Sequence, residues 1–220
     1  MCTVSYIPLK NGYILTSNRD ENPDRSTMLP QQQQLSNGET IVAPIDASKR
    51  GTWIATNTKN KTACLLNGAY IKHQRFLPYK RSRGHYVIEA FMHYTFSKFV
   101  MRVDLDKIEP FTLVFIENET LQVLVWDGNE KHYNTLDNNV PQLLSSSTLY
   151  TEEEHQKKEL FFRNTLNING SPADETQLLN IHGLKEKTPF ILNRPHVKTV
   201  SIAQIVSRDN AITLNYYPKN

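Results

Sequence analysis

The chain opens Met1-Cys2-Thr3-Val4-Ser5-Tyr6 and, a dozen residues later, runs Thr16-Ser17-Asn18-Arg19-Asp20-Glu21-Asn22-Pro23. Removal of Met1 would leave Cys2 with both a thiol and its own α-amino group, so that a nucleophile and a general base share one residue. An α-amine has an ordinary pKa of ~7.7–8.0, which leaves much of it neutral and proton-accepting near neutrality, while a neighbouring cation favours the thiolate. Arg19 supplies such a cation and Asp20 a carboxylate that can orient the amine. Cysteine is small enough for initiator removal, so the mature chain is expected to lack Met1.

Two further stretches carry chemistry. Asn67-Gly68 follows an apolar run, and an amide at a strand end beside a glycine can present its NH₂ to a developing oxyanion. Residues 69–83 hold Lys72, His73, Arg75, Lys80, Arg81 and Arg83 among Tyr70, Phe76 and Tyr79. Such a pattern suits a solvated loop or a nucleic-acid strand, but a loop at a cleft mouth that attracts an anionic or aromatic small molecule fits better, and no nucleic-acid partner is expected. Asn18, Tyr70 and Arg83 are the candidates for substrate contact. His85, Glu89 and His93 share a helical face, yet eight residues of helix separate the two imidazoles by ~12 Å, too far for one ion. No metal and no organic cofactor is expected.

Positioning these residues falls first to a hairpin. Residues 2–8 and 13–18 read as strands joined at Lys10-Asn11-Gly12, and Asn-Gly between apolar runs is a strong hairpin signal. The fold-back brings Asn18, Arg19 and Asp20 beside Cys2. A polar tract, Gln31 to Gln34, reads as an exposed loop between strands. Strands follow over 41–42, 52–56 and 62–66, the last two joined by a turn at 57–61. From Ser82 as N-cap, apolar spacing predicts one long amphipathic helix to about Val103. Strands are expected over 112–117, 120–126 and 131–136. Thr151-Glu152-Glu153-Glu154 is a capping box opening a helix to about Asn167, Ser171-Pro172 opens a third ending at Gly183, and strands over 198–207 and 211–217 close the chain around Arg208-Asp209-Asn210. Strands linked by tight turns, interrupted by helices, argue for an α+β fold of antiparallel sheets covered by helices.

The 220 residues show no linker, so a single domain over 1–220 is expected. Two cysteines, Cys2 and Cys64, form no disulfide framework and no Cys-x-x-Cys pair, which points to a reducing compartment. A net charge of +3 from 25 basic and 22 acidic residues implies no polyanionic partner by itself. No apolar run approaches the ~20 residues of a membrane span, nor does the beginning read as a signal peptide. A soluble, cytoplasmic protein acting on a small-molecule substrate or ligand is expected, with its oligomeric state left open.

Cys2 after the initiator, Ser17-Asn18-Arg19-Asp20-Glu21-Asn22, Gly51-Thr52-Trp53-Ile54-Ala55, Ala63-Cys64-Leu65-Leu66-Asn67 and Ser82-Arg83-Gly84 together resemble the NRDE family. These are the transport and Golgi organisation protein 2 homologues, related to the N-terminal nucleophile (Ntn) hydrolases of the choloylglycine and penicillin V acylase type. The resemblance implies a four-layer αββα sandwich and cleavage of the C–N bond of a small non-peptide amide, with Cys2 as nucleophile and Arg19, Asp20 and Asn67 around it. It also marks two departures. Ser146 stands where the acylases carry an oxyanion-binding asparagine, and loss of one such donor costs ~10²–10³ in rate. Lys198 stands at the start of the penultimate strand, where an arginine is usual, and lysine lacks the bidentate fork. The rival expectation is a non-catalytic binding or trafficking protein that holds a lipid-like or tetrapyrrole ligand on the same fold.

Overall fold

A computed structural model describes residues 3–168, 174–209 and 211–219. Met1, Cys2, Ser171-Pro172 and Asn210 lie outside the described residues.

Strands β1 (Thr3–Leu9) and β2 (Gly12–Glu21) form the expected hairpin, with Thr3 opposite Asn18 and Leu9 opposite Gly12. β2 pairs on its other side with the long strand β12 (Val197–Arg208), which returns against β13 (Ala211–Pro218). β10 (Gln142–Ser145) and the two-residue β11 (Asn193–Arg194) complete a six-stranded antiparallel sheet in the order β10-β1-β2-β12-β11, with β13 also on β12. The second sheet, seven-stranded, runs β3 (Thr27–Gln34), β4 (Thr40–Asp46), β5 (Ile54–Thr56), β6 (Lys61–Asn67), β7 (Phe111–Glu117), β8 (Thr120–Trp126) and β9 (Lys131–Thr135) in chain order. The β5–β6 turn is held by one side chain: Asn57 Oδ1 accepts from the amides of Lys59, Asn60 and Lys61.

Period-two alternation sorts each strand between two cores. Val4, Tyr6, Tyr13 and Leu15 face the second sheet within the main core. Ile7, Ile14 and Val206 face outward, onto Phe162 of α3 (Glu152–Ile168) and Leu178 of α4 (Glu175–Ile181). On the far side, Val87 and Phe91 of α1 (Gly84–Phe91) and Phe99 of α2 (Phe96–Arg102) cover the second sheet. The layers are therefore helix, sheet, sheet, helix, as expected.

Three local expectations are corrected. The glutamine tract is not a loop but the outer half of β3, an edge strand whose register is imposed by β4 while its polar side chains stay largely exposed. The single helix from Ser82 is two helices. Residues five apart on a continuous helix point ~140° apart, whereas the break lets Phe91 and Phe96 meet in the core with ring centroids 5.3 Å apart. Thr95 caps α2 by accepting the Lys98 amide, and Lys61 Nζ holds the break by donating to the carbonyls of His93 and Tyr94 at 3.0 and 2.8 Å. Ser82 is not the cap of α1, which starts at Gly84 without a side-chain cap. A Cβ on Gly84 would lie 2.8 Å from the Thr52 carbonyl oxygen, and the bare backbone allows the close approach in which the Thr52 amide donates to Gly84 O at 3.1 Å. The capping box forms as read, with Thr151 N donating to Glu154 and Glu154 N to Thr151 Oγ1. α4 is capped by Asp174.

Candidate active site

Thr3 and Asn18 face each other at the described end of the hairpin, so Arg19 and Asp20 follow directly on the partner of Thr3. As strand neighbours they point to opposite faces. Arg19 turns toward the second sheet. It is 2% exposed, its Nη2 lies 2.7 Å from Asp46 Oδ2, and its guanidinium carbon lies 4.6 Å from the centre of the Trp53 ring. Burial pulls Arg19 below its ordinary pKa, opposed by the charges of Glu21 and Asp46. Burial alone would raise Asp46, but hydrogen bonds from the Lys49 amide and Ser48, with the Arg25 cation, outweigh it and leave the carboxyl lowered. Arg25 Nε, 2.6 Å from the same oxygen, adds a second cation to this carboxylate.

Asp20 turns the other way, under the α3–α4 layer. Its carboxylate accepts from Tyr150 Oη and Thr199 Oγ1, both at 2.5 Å. Lys158, fully buried on α3, lies over the Tyr150 ring and donates to Thr3 Oγ1 at 2.7 Å. The β12 bulge between Thr199 and Ser201 is what sets Thr199 opposite Asp20 and Ser201 opposite Arg19.

Asn18 is not placed for substrate contact. Its Nδ2 donates to the carbonyls of His182 and Phe190 at 3.0 and 3.1 Å, and its Oδ1 meets His182 Nδ1. Because Nδ2 is committed to two carbonyls, Oδ1 is the acceptor, His182 carries its proton on Nδ1, and Nε2 accepts from Ser5 Oγ at 2.7 Å. Ser5, His182 and Asn18 thus have the order of a nucleophile, base and orienting group, but all three are 0% exposed, so no substrate reaches the serine. Burial, helped by the Lys158 charge, lowers His182 to about 3 and keeps it neutral.

A cavity of about 680 Å³ opens on the Arg19 side, walled by Arg19, Asp46, Trp53, Asn67, Arg83 and Glu109. Its lining holds seven lysines and arginines against three carboxylates, an excess that favours an anionic group. Arg83 pairs with Glu109 at 3.2 Å and donates to Pro110 O, and burial lowers its pKa against the Glu109 charge. Asn67 ends β6 with its side chain hydrogen-bonded to nothing among the described residues. Gly68 then turns at φ +85°, where a Cβ would lie 2.6 Å from Ser147 Oγ and from Thr148 Cγ2, so no side chain fits.

Ser146 packs directly behind this turn. Its Oγ donates to Asn67 O at 2.6 Å and lies 2.9 Å from Thr148 Oγ1, and the residue is 1% exposed. Its hydroxyl proton is therefore spent on the backbone. A second cavity of about 700 Å³ lies on that side, with Leu66, Val123, Val125, Leu144 and Leu149 among its walls beside Ser145, Thr148, His155 and Arg194. Tyr70 borders this second cavity and not the first; it is 60% exposed and meets His132 edge-on.

Lys198 enters neither cavity. It is exposed, at the register position opposite Glu21 and Asn193. The arginine of this region is Arg194, which borders the second cavity, donates to Leu149 O and pairs with Glu154 at 2.7 Å. Among the described residues no cluster of histidine, cysteine, aspartate and glutamate could hold a metal. Cys64 is fully buried, and burial pushes its thiol up to about 12. Residues passed over in the sequence include Asp46, Trp53, Tyr150, Lys158 and Thr199. Trp53 stands in the Gly51–Ala55 stretch, but nothing local marks any of the five for its role, since the residue each meets at the site (Arg19, Asp20 or Thr3) lies at least 27 residues away in the chain.

Two facing antiparallel sheets with helices on both outer faces and β1 inside its sheet make an Ntn-hydrolase-like fold. The Caenorhabditis elegans ortholog of N-acylethanolamine-hydrolyzing acid amidase superposes with a TM-score of 0.66 at 13% identity, over 97% of this chain and 100% of its own. Two variants of the conjugated bile acid hydrolase of Clostridium perfringens give TM-scores of 0.60 and 0.61 at 8% identity, over all of this chain and 93% and 97% of theirs. A search of curated protein sequences finds no match. The sequence model of the Transport and Golgi organisation 2 family covers residues 1–207, and the chain belongs to that family.

Proposed function

We propose that the protein hydrolyses the C–N bond of a small non-peptide amide, with Cys2, exposed by loss of Met1, as nucleophile. In this scheme the α-amine takes the thiol proton as sulfur attacks the carbonyl carbon, then passes it to the departing nitrogen as the C–N bond breaks. Water, deprotonated by the same amine, cleaves the thioester and restores the thiol. The observation that carries this reading is the convergence of Arg19 and Asn67 on one cavity, with Arg19 one residue beyond Asn18, the partner of Thr3 at the start of β1. Arg19 would favour the thiolate, Asn67 Nδ2 would donate to the oxyanion, and the Tyr150- and Thr199-bonded Asp20 would orient the amine. The likeness to amidase structures supports the same chemistry, and the cationic lining supports an anionic group on the substrate.

A second reading, a carrier that binds its ligand without cleaving it, is favoured by the Ser146 hydroxyl, which is already spent on Asn67 O. Intact mass spectrometry and an amide panel separate the two. Chain lacking Met1 that turns over an amide, with turnover lost in Cys2→Ala, supports the hydrolase; wholly retained Met1 removes its base.

A further inference from the structure

Ten large apolar side chains are exposed among the described residues, and four of them fall within eight consecutive positions: Tyr70, Ile71, Phe76 and Leu77, between 60% and 78% exposed. Four such side chains concentrated in one loop make the kind of exposed apolar surface that marks an interaction site. The segment that carries it is the loop from Asn67 to α1. Its backbone is tied at few points, among them the Lys80 amide to Lys107 O and the Ile71 carbonyl to Ser147 Oγ. The same loop borders both cavities, through Tyr70, Ile71 and Lys72 on the second and Leu77 and Arg81 on the first.

The charges on the loop select the occupant. Residues 69–83 contain Lys72, Arg75, Lys80, Arg81 and Arg83 and no carboxylate. Three carboxylates from elsewhere pair with them: Glu109 with Arg75 and Arg83, Asp104 with Lys80, and Glu89 with Arg81. Five bases against three acids leave the loop positive, and its exposed ion pairs are weak enough to be exchanged for other anions. Aliphatic Ile71 and Leu77 offer nothing for a nucleic-acid base to stack on, whereas aliphatic and aromatic side chains flanked by bases suit the boundary between acyl chains and anionic headgroups.

We propose that residues 70–81 dock the protein on an anionic lipid bilayer, with Ile71, Phe76 and Leu77 entering the acyl boundary and Lys72, Arg75, Lys80 and Arg81 at the headgroups. Docking would bring the loop residues that border both cavities to the membrane surface. The proposal does not depend on whether the protein is a hydrolase or a carrier.

Vesicle sedimentation of the full chain tests it, using phosphatidylcholine vesicles with and without phosphatidylserine. Binding is expected on the anionic vesicles and to weaken as salt is raised. Phe76→Ser with Leu77→Ser should lower it at least ~10-fold, from the apolar burial lost, and Lys72→Gln should lower it about 5-fold on anionic vesicles alone. Because these side chains are exposed, the melting temperature should not move. Vesicle binding that ignores Phe76→Ser/Leu77→Ser overturns the proposal. So does a single-stranded oligonucleotide binding where vesicles do not, or self-association, seen by sedimentation velocity, that these substitutions abolish in the absence of vesicle binding.

Discussion

Substituting His182 by glutamine should flatten the acid side of the protein's stability curve. The neutral imidazole is wedged between Ser5 and Asn18 with no exposure, and its pKa is lowered to about 3, first by burial and then by the Lys158 charge. An unfolded histidine titrates near ~6.5, so between ~6.5 and about 3 the unfolded chain binds a proton that the folded chain does not. Stability is therefore full above ~6.5 and falls as pH drops through that window. Between pH 7 and pH 5 the loss from this one group is ~2 kcal/mol, and for a chain of this length, with ~2.1 cal/mol/K of unfolding entropy per residue, that corresponds to ~4 °C in Tm. Glutamine preserves a donor toward Asn18 and an acceptor toward Ser5 but does not titrate. Urea unfolding at pH 7, 6 and 5 should give a steep fall for the wild type and a fall smaller by ~2 kcal/mol for His182→Gln, whatever the variant's starting stability. Equal losses in the two proteins would mean that His182 is solvated or already charged in the fold, and the buried Ser5–His182–Asn18 arrangement would be refuted.

Other outcomes follow from the site. Native protein treated with iodoacetamide near neutrality should be labelled at Cys2 and resist at Cys64, whose thiol is buried and raised to about 12; Arg19→Ala should slow the Cys2 reaction, and peptide mass spectrometry reporting equal labelling would count against an activated thiolate. Asp46→Ala leaves the buried Arg19 and its neighbour Arg25 with Glu21 as their remaining carboxylate and should cost ~3–5 kcal/mol in denaturant unfolding, part of which Arg19→Met should return. Ser146→Asn offers an amide donor where the serine hydroxyl is committed to Asn67 O, and should raise any amidase rate by up to ~10² in a Cys2-dependent manner. No turnover in that variant, with ligand binding intact in Cys2→Ala, would favour the carrier.

Much of the layered fold was written locally. The Asn-Gly hairpin, the capping box at Thr151 and the alternating strands from β7 to β9 each depend on contacts within a few residues, and such contacts are what periodicity and turn chemistry report. The hairpin alone was enough to bring Asn18, Arg19 and Asp20 to one end of β1, and the residue pattern from Cys2 to Asn67 marked the family.

What the three residues do there was decided in three dimensions. Adjacent strand positions face opposite layers, so Arg19 meets Asp46 and Trp53 in a cavity, Asp20 meets Tyr150 and Thr199 beneath helices, and Asn18 is consumed by His182. The helix break at Thr95 and the glutamines of β3 were likewise set by distant partners, Lys61 in one case and β4 in the other. Lys198 matched a family position by spacing, yet strand alternation left it in solvent and turned Arg194 to the second cavity. A linear sequence carries each residue's chemistry and its near neighbours. Which carboxylate compensates a buried arginine, or which carbonyl takes the proton of Ser146, depends on sheet order and register across the whole chain.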